Sequence, residues 1–330
     1  MLIRHTATRE LSVDDRTGII GGSSVGALLE LNGYGTEFEV YLDYIGKKPE
    51  PDEKTRWTFK RGHILEKANA EMFTALTGFE LTEPQEAYYD PDHPYLILHP
   101  DREFTDPKTG DKYALECKMA SVHAFRHSWG EMDELVTAPL LDPSIQVYRG
   151  DENSLIEQYY AQTQWYYALA DYKGVFLARL TDNDIVIYYV EPDEDVQKAL
   201  YNTAIRFHDK VESGWEPAPV NTVQAKTAHP NSEENSEISA DSDIRNKMER
   251  LAEIRTEKKD LEAEEEIIKT EVMDYMKEKE VLLSADGEKL ATWKTVRRST
   301  FDSTRFKQDY PHLYEVYQTK SETRPFRFAM

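Results

Sequence analysis

Two acidic residues and a lysine have types and a spacing that suit phosphodiester hydrolysis. Asp101 follows a proline, and fourteen residues separate it from Glu116, which begins the tripeptide Glu116-Cys117-Lys118. Residues i and i+2 of a strand project from the same face, so Glu116 and Lys118 would share a face while Cys117 points the other way. A hairpin that runs from Asp101 into a strand over residues 113–118 would bring two carboxylates and an ammonium together.

This grouping is typical of metal-assisted hydrolysis. Carboxylate oxygens hold Mg²⁺, the bound metal lowers the pKa of a water molecule, and a lysine orients that water or helps to deprotonate it. We expect Mn²⁺ to substitute for Mg²⁺. The alternative is a surface ladder of salt bridges, because an acidic chain contains several Asp…Glu-x-Lys patterns by chance.

Further polar residues lie where they could join such a site. Glu66 falls in the middle of a helix predicted from about Thr58 to Thr77, where it either reaches solvent or enters a neighbouring metal site. Gln162 and Tyr166 are one helical turn apart and share a face, although a core helix with polar tips gives the same pattern. For the aromatic residues Trp57 and Phe59, we expect packing in the core; the alternative is that one of them wedges or stacks at the end of a nucleic-acid duplex.

Composition limits the class of protein. The 330 residues carry a net charge of −22, which excludes a polycation that coats nucleic acid by bulk attraction. The single cysteine, Cys117, excludes disulfide scaffolds, cysteine-rich zinc sites and four-cysteine iron–sulfur clusters. Because neither a signal peptide nor an apolar stretch of membrane-spanning length is visible, we expect a soluble, cytoplasmic protein.

The chain divides by composition into four parts. Residues 1–216 have the helix and strand signals of one mixed α/β domain, which include strands near 86–89, 95–98, 102–105, 113–118, 173–180 and 184–191 and helices near 152–170 and 194–213. Residues 217–243 have the composition of a linker, and residues 244–280 predict an amphipathic or coiled helix dense in Glu and Lys. Residues 281–330 form a small, mildly basic module.

The order of the motifs resembles that of the YqaJ-type viral recombinase family, whose relatives include phage lambda exonuclease. The resemblance covers about residues 14–215 and rests on five motifs: Arg16-Thr-Gly-Ile-Ile-Gly-Gly-Ser23-Ser24, Arg61-Gly62-x3-Glu66, His99-Pro100-Asp101, Glu116-x-Lys118 and Gln162-x-Gln164-Trp165. It implies an α/β fold of the PD-(D/E)xK, restriction-endonuclease-like type, in which helices flank a central mixed sheet.

The resemblance also implies an activity. Relatives are processive 5′→3′ exonucleases that degrade one strand of linear double-stranded DNA and leave 3′ overhangs for phage recombination by single-strand annealing. The expected setting is a phage or prophage in a bacterial host. Two alternatives stay open: a structure-specific endonuclease of the same fold, and a non-catalytic DNA-binding or scaffold protein of recombination.

Roles for individual residues follow from the same resemblance. It implies that Asp101, Glu116 and the backbone carbonyl of Cys117 hold Mg²⁺, that Lys118 is the water-orienting base, and that Glu66 binds a second metal or a metal-bound water. The residues expected at the terminal 5′-phosphate are Arg16, Ser23 and Gln162. His99 stands where some relatives have a small hydroxyl residue, and it could donate to phosphate or approach the metal.

The resemblance also implies partners. Subunits of relatives close into a trimeric ring around DNA, so we expect a homo-oligomer whose acidic exterior coexists with a basic DNA path. For the C-terminal region we expect docking of a single-strand annealing protein. Binding of the nucleic-acid product and a contribution to oligomerisation are the alternatives for that region.

Overall fold

The computed structural model describes residues 7–9, 17–31, 35–120, 134–181, 184–319 and 323–329. The chain separates into two compact units, residues 1–227 and residues 228–330. Among the helices in these ranges, none is both long enough and apolar enough to span a bilayer.

The first unit contains six helices and eight strands within its described residues. The helices are α1 (Gly22–Leu28), α2 (Glu37–Tyr44), α3 (Glu53–Thr77), α4 (Glu157–Leu169), α5 (Glu194–Glu212) and α6 (Thr222–Ala228). The strands are β1 (Ala7–Arg9), β2 (Ala87–Tyr89), β3 (Ile97–Leu98), β4 (Arg102–Thr105), β5 (Lys112–Met119), β6 (Val147–Gly150), β7 (Gly174–Leu180) and β8 (Ile185–Val190).

A five-stranded mixed sheet forms the centre of this unit. Its strand order is β4-β5-β7-β8-β6, in which β5 pairs parallel with β7 and β6 parallel with β8, while the other two pairs are antiparallel. Strand β7 lies in the middle and is apolar from Val175 to Ala178, as a strand covered on both faces must be. The mixed sheet with flanking helices confirms the predicted fold class.

The predicted hairpin is present. Strand β4 pairs antiparallel with β5, with Arg102 opposite Leu115. Leu115 and Cys117 belong to the apolar cluster on one side of the sheet, whereas Glu116 and Lys118 line a cavity on the other side. The alternation of side chains along a strand therefore orients this motif as expected.

Helix α3 has a buried half and an exposed half. Asn69, Ala70 and Phe73 are buried in its second half, and the helix ends at Gly78, whose φ of 75° is the left-handed conformation that glycine adopts readily. The helix begins five residues earlier than predicted because the Asp52 side chain caps it, accepting the Thr55 amide at 2.8 Å.

The expectation that Trp57 and Phe59 pack in the core is wrong. Their side chains are 58% and 56% exposed, respectively. Both lie in the first half of α3, whose buried residues are all in its second half, and none of the described elements of the unit covers them.

Helices α1 and α4 cross closely enough to set the position of the cavity. A Cβ atom on Gly22 would lie 3.2 Å from both Gln162 Cγ and Trp165 Cδ1, closer than ordinary contact. The Trp165 indole N–H donates to the carbonyl of Ile97 at 2.8 Å, which ties α4 to β3. These contacts hold the start of α1, the end of β3 and one face of α4 together.

Strand β6 was not predicted from the sequence. It is a four-residue edge strand that contains the polar residue Arg149, so its pattern is neither alternating nor continuously apolar. Arg149 pairs with Glu134 at 2.8 Å and with Glu191 at 2.9 Å, which stabilises the edge from the exposed side.

The second unit contains a long helix and small elements. These are α7 (Ser242–Met276), the hairpin of β9 (Val281–Leu283) and β10 (Lys289–Thr292), α8 (Ser303–Asp309) and α9 (Pro311–Val316). The segment 217–243, predicted as a linker, includes α6. There the buried Gln224 donates to Thr36 Oγ1 at 2.9 Å, a polar anchor that composition does not reveal. The domain boundaries given above stay a prediction.

Candidate active site

A cavity of about 400 Å³ collects nearly all the site residues inferred from the sequence. The start of α1, the middle of α3, the β4–β5 hairpin and one face of α4 surround it. Its lining includes Ser23, Glu66, His99, Asp101, Glu116, Lys118 and Gln162. Arg16 lies outside the described residues, and the side chain of Cys117 is in the core on the far side of the sheet.

Glu116 is a carboxylate with almost no contact with water. It is 1% exposed. Its Oε1 accepts from Gln162 Nε2 at 2.8 Å and contacts Lys118 Nζ, and its Oε2 accepts from the hydroxyl of Tyr166. A buried charge is tolerated when hydrogen bonds and an opposite charge compensate for its lost hydration, and these three donors supply that compensation.

Asp101 lies beside Glu116 at the start of the hairpin. Its Oδ2 accepts the backbone N–H of Cys117 at 2.8 Å, which fixes the aspartate against β5. Burial raises the pKa of Asp101 well above its ordinary value, and the negative charges of Glu116 and Glu66 raise it further, against the opposing effects of Lys118 and the Cys117 amide. The site therefore gathers more negative charge than its own cations neutralise.

Lys118 is held as an ammonium between the carboxylates. Burial lowers its pKa, but the charges of Glu116 and Asp101 outweigh burial, so the net pKa is raised above that of an ordinary lysine. The ammonium also lies 4.9 Å from the centre of the Tyr159 ring, a cation–π distance. In this state Lys118 can donate hydrogen bonds to a water or to a phosphate.

Glu66 points from α3 towards the same cavity. Its Oε1 accepts from Arg102 Nη1 at 2.9 Å, and the same guanidinium nitrogen contacts the backbone carbonyl of Asp101. Arg102 therefore links the helix to the first residue of the hairpin and fixes the direction of the Glu66 carboxylate.

The residues expected at a 5′-phosphate lie on the α1 side of the cavity. Ser23 and His99 are exposed there, beside the glycines Gly21 and Gly22 that begin the helix. Gln162 faces the same space, but its amide N–H donates to Glu116. Gln162 thus orients the buried carboxylate in this structure, and its phosphate contact stays a prediction.

Three residues with clear roles in this geometry were not assigned from the sequence. Tyr166 donates to Glu116, Arg102 holds Glu66, and Asn69 Nδ2 donates to the carbonyls of Lys118 and Ala178 at 3.2 and 2.8 Å. Tyr166 lies one helical turn from Gln162, and this spacing fits either a shared site or the polar residues of a core helix. The other two residues act through contacts between elements that are distant in sequence, so no local pattern marks them.

The donor set fits a hard divalent cation. Mg²⁺ is typically held by one or two carboxylates while waters and substrate phosphates complete its coordination. A carboxylate has about four lone-pair positions, and the three donors to Glu116 leave room for a cation beside Asp101. Within the described ranges, no three carboxylate, imidazole or thiol groups are arranged as a complete cage, so the protein would hold such an ion only in part.

Comparison with known proteins identifies the family. A model of the YqaJ-like viral recombinase domain matches residues 13–173, a stretch that includes every site residue named above. Residues 13–173 are a YqaJ-like viral recombinase domain. The resemblance inferred from the five motifs is confirmed at the level of the family.

One relative is similar to this chain over nearly its full length, beyond residues 13–173. The uncharacterized protein YqaJ of Bacillus subtilis (strain 168) is 24% identical over 329 residues, which are 97% of this chain and 93% of the relative. Among solved structures, an alkaline exonuclease (LHK-Exo) from Laribacter hongkongensis is 14% identical with a TM-score of 0.43, over 60% of this chain and 90% of that one. The structure of LHK-Exo in complex with dAMP matches with a TM-score of 0.44 over the same shares.

Two aspartates that flank β4 should have opposite effects on the stability of the YqaJ-like domain. The pKa of Asp101 is raised, so the folded state holds its proton above the ordinary pKa of 3.8, and the free energy of unfolding falls as pH rises through the raised pKa. Asp101→Asn removes the ionisable group and with it this fall in the free energy of unfolding. We therefore expect the variant to have a higher thermal midpoint than the native protein at neutral pH in the presence of a chelator.

Asp106 is the matched control. The amide of Lys108 and the hydroxyl of Thr109 donate to it and lower its pKa, so its contribution to stability is complete above the ordinary pKa and is lost as pH falls through the lowered value. Asp106→Asn should therefore lower the midpoint at neutral pH. Thermal unfolding of both variants from pH 3 to 8 tests this, and shifts of the same sign would contradict it.

Proposed function

We propose that this protein is a Mg²⁺-dependent deoxyribonuclease that degrades linear double-stranded DNA from 5′ ends and leaves 3′ overhangs for phage recombination. The observation that carries this proposal is the convergence of Asp101, Glu116, Lys118 and Glu66 in one open cavity. The match to a viral recombinase family supports a role in phage recombination. The motif resemblance to lambda exonuclease supports digestion in the 5′→3′ direction.

The residues present divide the hydrolysis between them. Asp101, Glu116 and the carbonyl of Cys117 would hold Mg²⁺, with Glu66 binding a second ion or a metal-bound water, and Mn²⁺ accepts the same ligands. The metal supplies a water of lowered pKa and offsets the charge of the phosphate. Lys118 orients the attacking water, while Gln162 and Tyr166 keep the Glu116 carboxylate in position.

The bonds that change are those at one phosphorus atom. The water oxygen adds to phosphorus, the P–O3′ bond breaks, and the leaving 3′ oxygen takes a proton from solvent. The product is a 5′-mononucleotide, and the shortened strand again begins with a 5′-phosphate. Ser23, His99 and Arg16 would bind that phosphate, since hydroxyl, imidazole and guanidinium groups donate to phosphate oxygens.

The DNA path is proposed to follow the exposed half of α3. Residues 1–220 carry 21 basic and 39 acidic residues, a net charge of −18, so positive charge must be concentrated locally to attract DNA. The densest basic run of this part is exposed in the structure: Lys47, Lys48, Lys54, Arg56, Lys60 and Arg61. A trimeric ring would enclose this path.

A single-strand annealing protein is the partner proposed for the second unit. Helix α7 exposes Ile254, Leu261, Ile268 and Tyr275, which recur every seven residues. Such a stripe is suited to packing against a helix of another protein.

Substitution of Lys118 tests the reaction. With Mg²⁺, the native protein should shorten linear duplex DNA from its 5′ ends, faster with a 5′-phosphate than with a 5′-hydroxyl, and should leave covalently closed circles intact. Lys118→Ala should reduce the rate by at least about 100-fold. The rate of mononucleotide release measures this.

The matched control is Lys112→Ala, at the other end of the same strand, where the ammonium lies near Tyr88 and outside the cavity. It should retain activity. Cleavage of circles would instead indicate the endonuclease, and no cleavage with Mg²⁺ or Mn²⁺ would favour a binding or scaffold role.

Cation binding can be measured without DNA. Because the folded state holds the paired carboxylates and the unfolded state does not, a saturating concentration of Mg²⁺, about 100 times its dissociation constant, should stabilise the protein by about 2.7 kcal/mol. Asp101→Asn should abolish the rise in thermal midpoint, whereas Asp106→Asn should retain it. An equal rise in both variants would place the cation elsewhere.

Phe59 and Trp57 form a second matched pair. Phe59 precedes Glu66 by seven residues, so it lies on the same face of α3 about 10 Å further out, whereas Trp57 is on the opposite face. A base that leaves the duplex at the cavity would stack on Phe59. Phe59→Ala should lower kcat/KM on duplex ends by about tenfold, and Trp57→Ala should leave it unchanged. Equal effects of the two variants would contradict this path.

A further inference from the structure

An open groove in the second unit is lined almost entirely by aromatic rings. It encloses about 420 Å³ between Phe301, Phe306, Tyr314, Tyr317 and Gln318, residues contributed by α8, α9 and the segments beside them. Phe301 is 73% exposed and Tyr317 is 81% exposed. We call this surface the aromatic groove.

The aromatic rings contact one another while the rings at the edge of the groove keep faces exposed to solvent. The centre of the Phe306 ring lies 5.0 Å from that of Phe301 and 5.5 Å from that of Tyr310, with planes inclined at 57° and 37°. These contacts fix Phe306 in the base of the cluster while Phe301 and Tyr317 stay at its rim. Exposed apolar surface concentrated in one patch is characteristic of a binding site.

The C-terminal segment that carries the groove has a net charge opposite to that of the whole chain, although the groove-forming stretch 301–318 itself contains Arg305 and Lys307 beside Asp302, Asp309 and Glu315. Residues 285–330 contain nine basic and six acidic residues, a net charge of +3 in a protein of −22. Lys307 Nζ lies 5.2 Å from the centre of the Tyr314 ring, at the groove itself. Arg297 and Arg298 precede Phe301 by only a few residues.

Flat rings beside cations match one chemical class of ligand. Single-stranded nucleic acid offers stacked π-faces on every base and a negative charge on every phosphate, and aromatic side chains in a basic groove are its usual binding surface. Four of the five lining residues here are aromatic, and each aromatic ring is a surface on which a base can stack.

We propose that the aromatic groove binds single-stranded nucleic acid, with bases stacked on Phe301 and Tyr317 and the backbone held by Lys307. The site goes beyond the proposed exonuclease, because it requires none of the residues of the cavity. If the chain does cleave DNA, the 3′ overhang that it leaves is a ligand of this class.

The test is binding of a fluorescent oligothymidine of about 20 nucleotides to the full chain in EDTA, followed by anisotropy. The double variant Phe301→Leu, Tyr317→Leu keeps apolar bulk but removes two stacking faces, and it should bind at least about fivefold more weakly. Tyr317→Trp keeps a stacking face and should bind as well as the native chain. Lys307→Gln should reduce the slope of log affinity against log salt by about 0.7.

The matched control is Phe326→Leu, because Phe326 is 69% exposed in the same unit but lies outside the groove lining. It should bind the oligonucleotide as the native chain does. The proposal would be overturned if the double variant bound with native affinity, if Phe326→Leu weakened binding equally, or if the native chain did not bind. Native affinity in the double variant would place the oligonucleotide-binding surface elsewhere on the chain.

The two proposals fail separately. Lys118→Ala should lose cleavage and keep oligothymidine binding, while the double groove variant should lose binding and still cleave linear duplex DNA. Circular dichroism of each variant checks that the helices are retained, and the high exposure of the two substituted rings makes unfolding an unexpected result.

Discussion

The burial of one carboxylate constrains the whole first unit. Glu116 is almost inaccessible to water, so it must receive hydrogen bonds from donors on fixed elements. Gln162 and Tyr166 supply two of them from adjacent turns of α4, and Lys118 supplies the third from the same strand. These contacts fix helix α4 against strand β5 and so position one wall of the cavity.

This arrangement concentrates negative charge where it destabilises the fold. The carboxylates of Asp101, Glu116 and Glu66 converge, and the raised pKa of Asp101 reflects their mutual repulsion as well as burial. A protein optimised for stability alone would separate these groups. In the proposed function their proximity would serve to bind a divalent cation, because the repulsion that opposes folding would be relieved when the cation binds.

Parts of the fold could be predicted because they depend on local rules. The alternation of Glu116, Cys117 and Lys118 followed from strand geometry, and the end of α3 at Gly78 followed from the need for a left-handed residue. The edge strand β6 was missed because its stability comes from pairing with β8 and from the ion pairs of Arg149. Such interactions leave no periodic pattern in four residues.

Residue types and their spacing were enough to identify the family, the class of sheet, and the acidic residues and lysine that converge. The groups that orient these side chains became visible only in the folded chain. Arg102 reaches Glu66 across 36 positions of sequence and Tyr166 reaches Glu116 across 50. The tertiary structure also decided that Phe59 stays exposed. These outcomes depend on which elements pack together, and the physical reason is that burial and hydrogen bonding act through space, whereas a motif reports only neighbours along the chain.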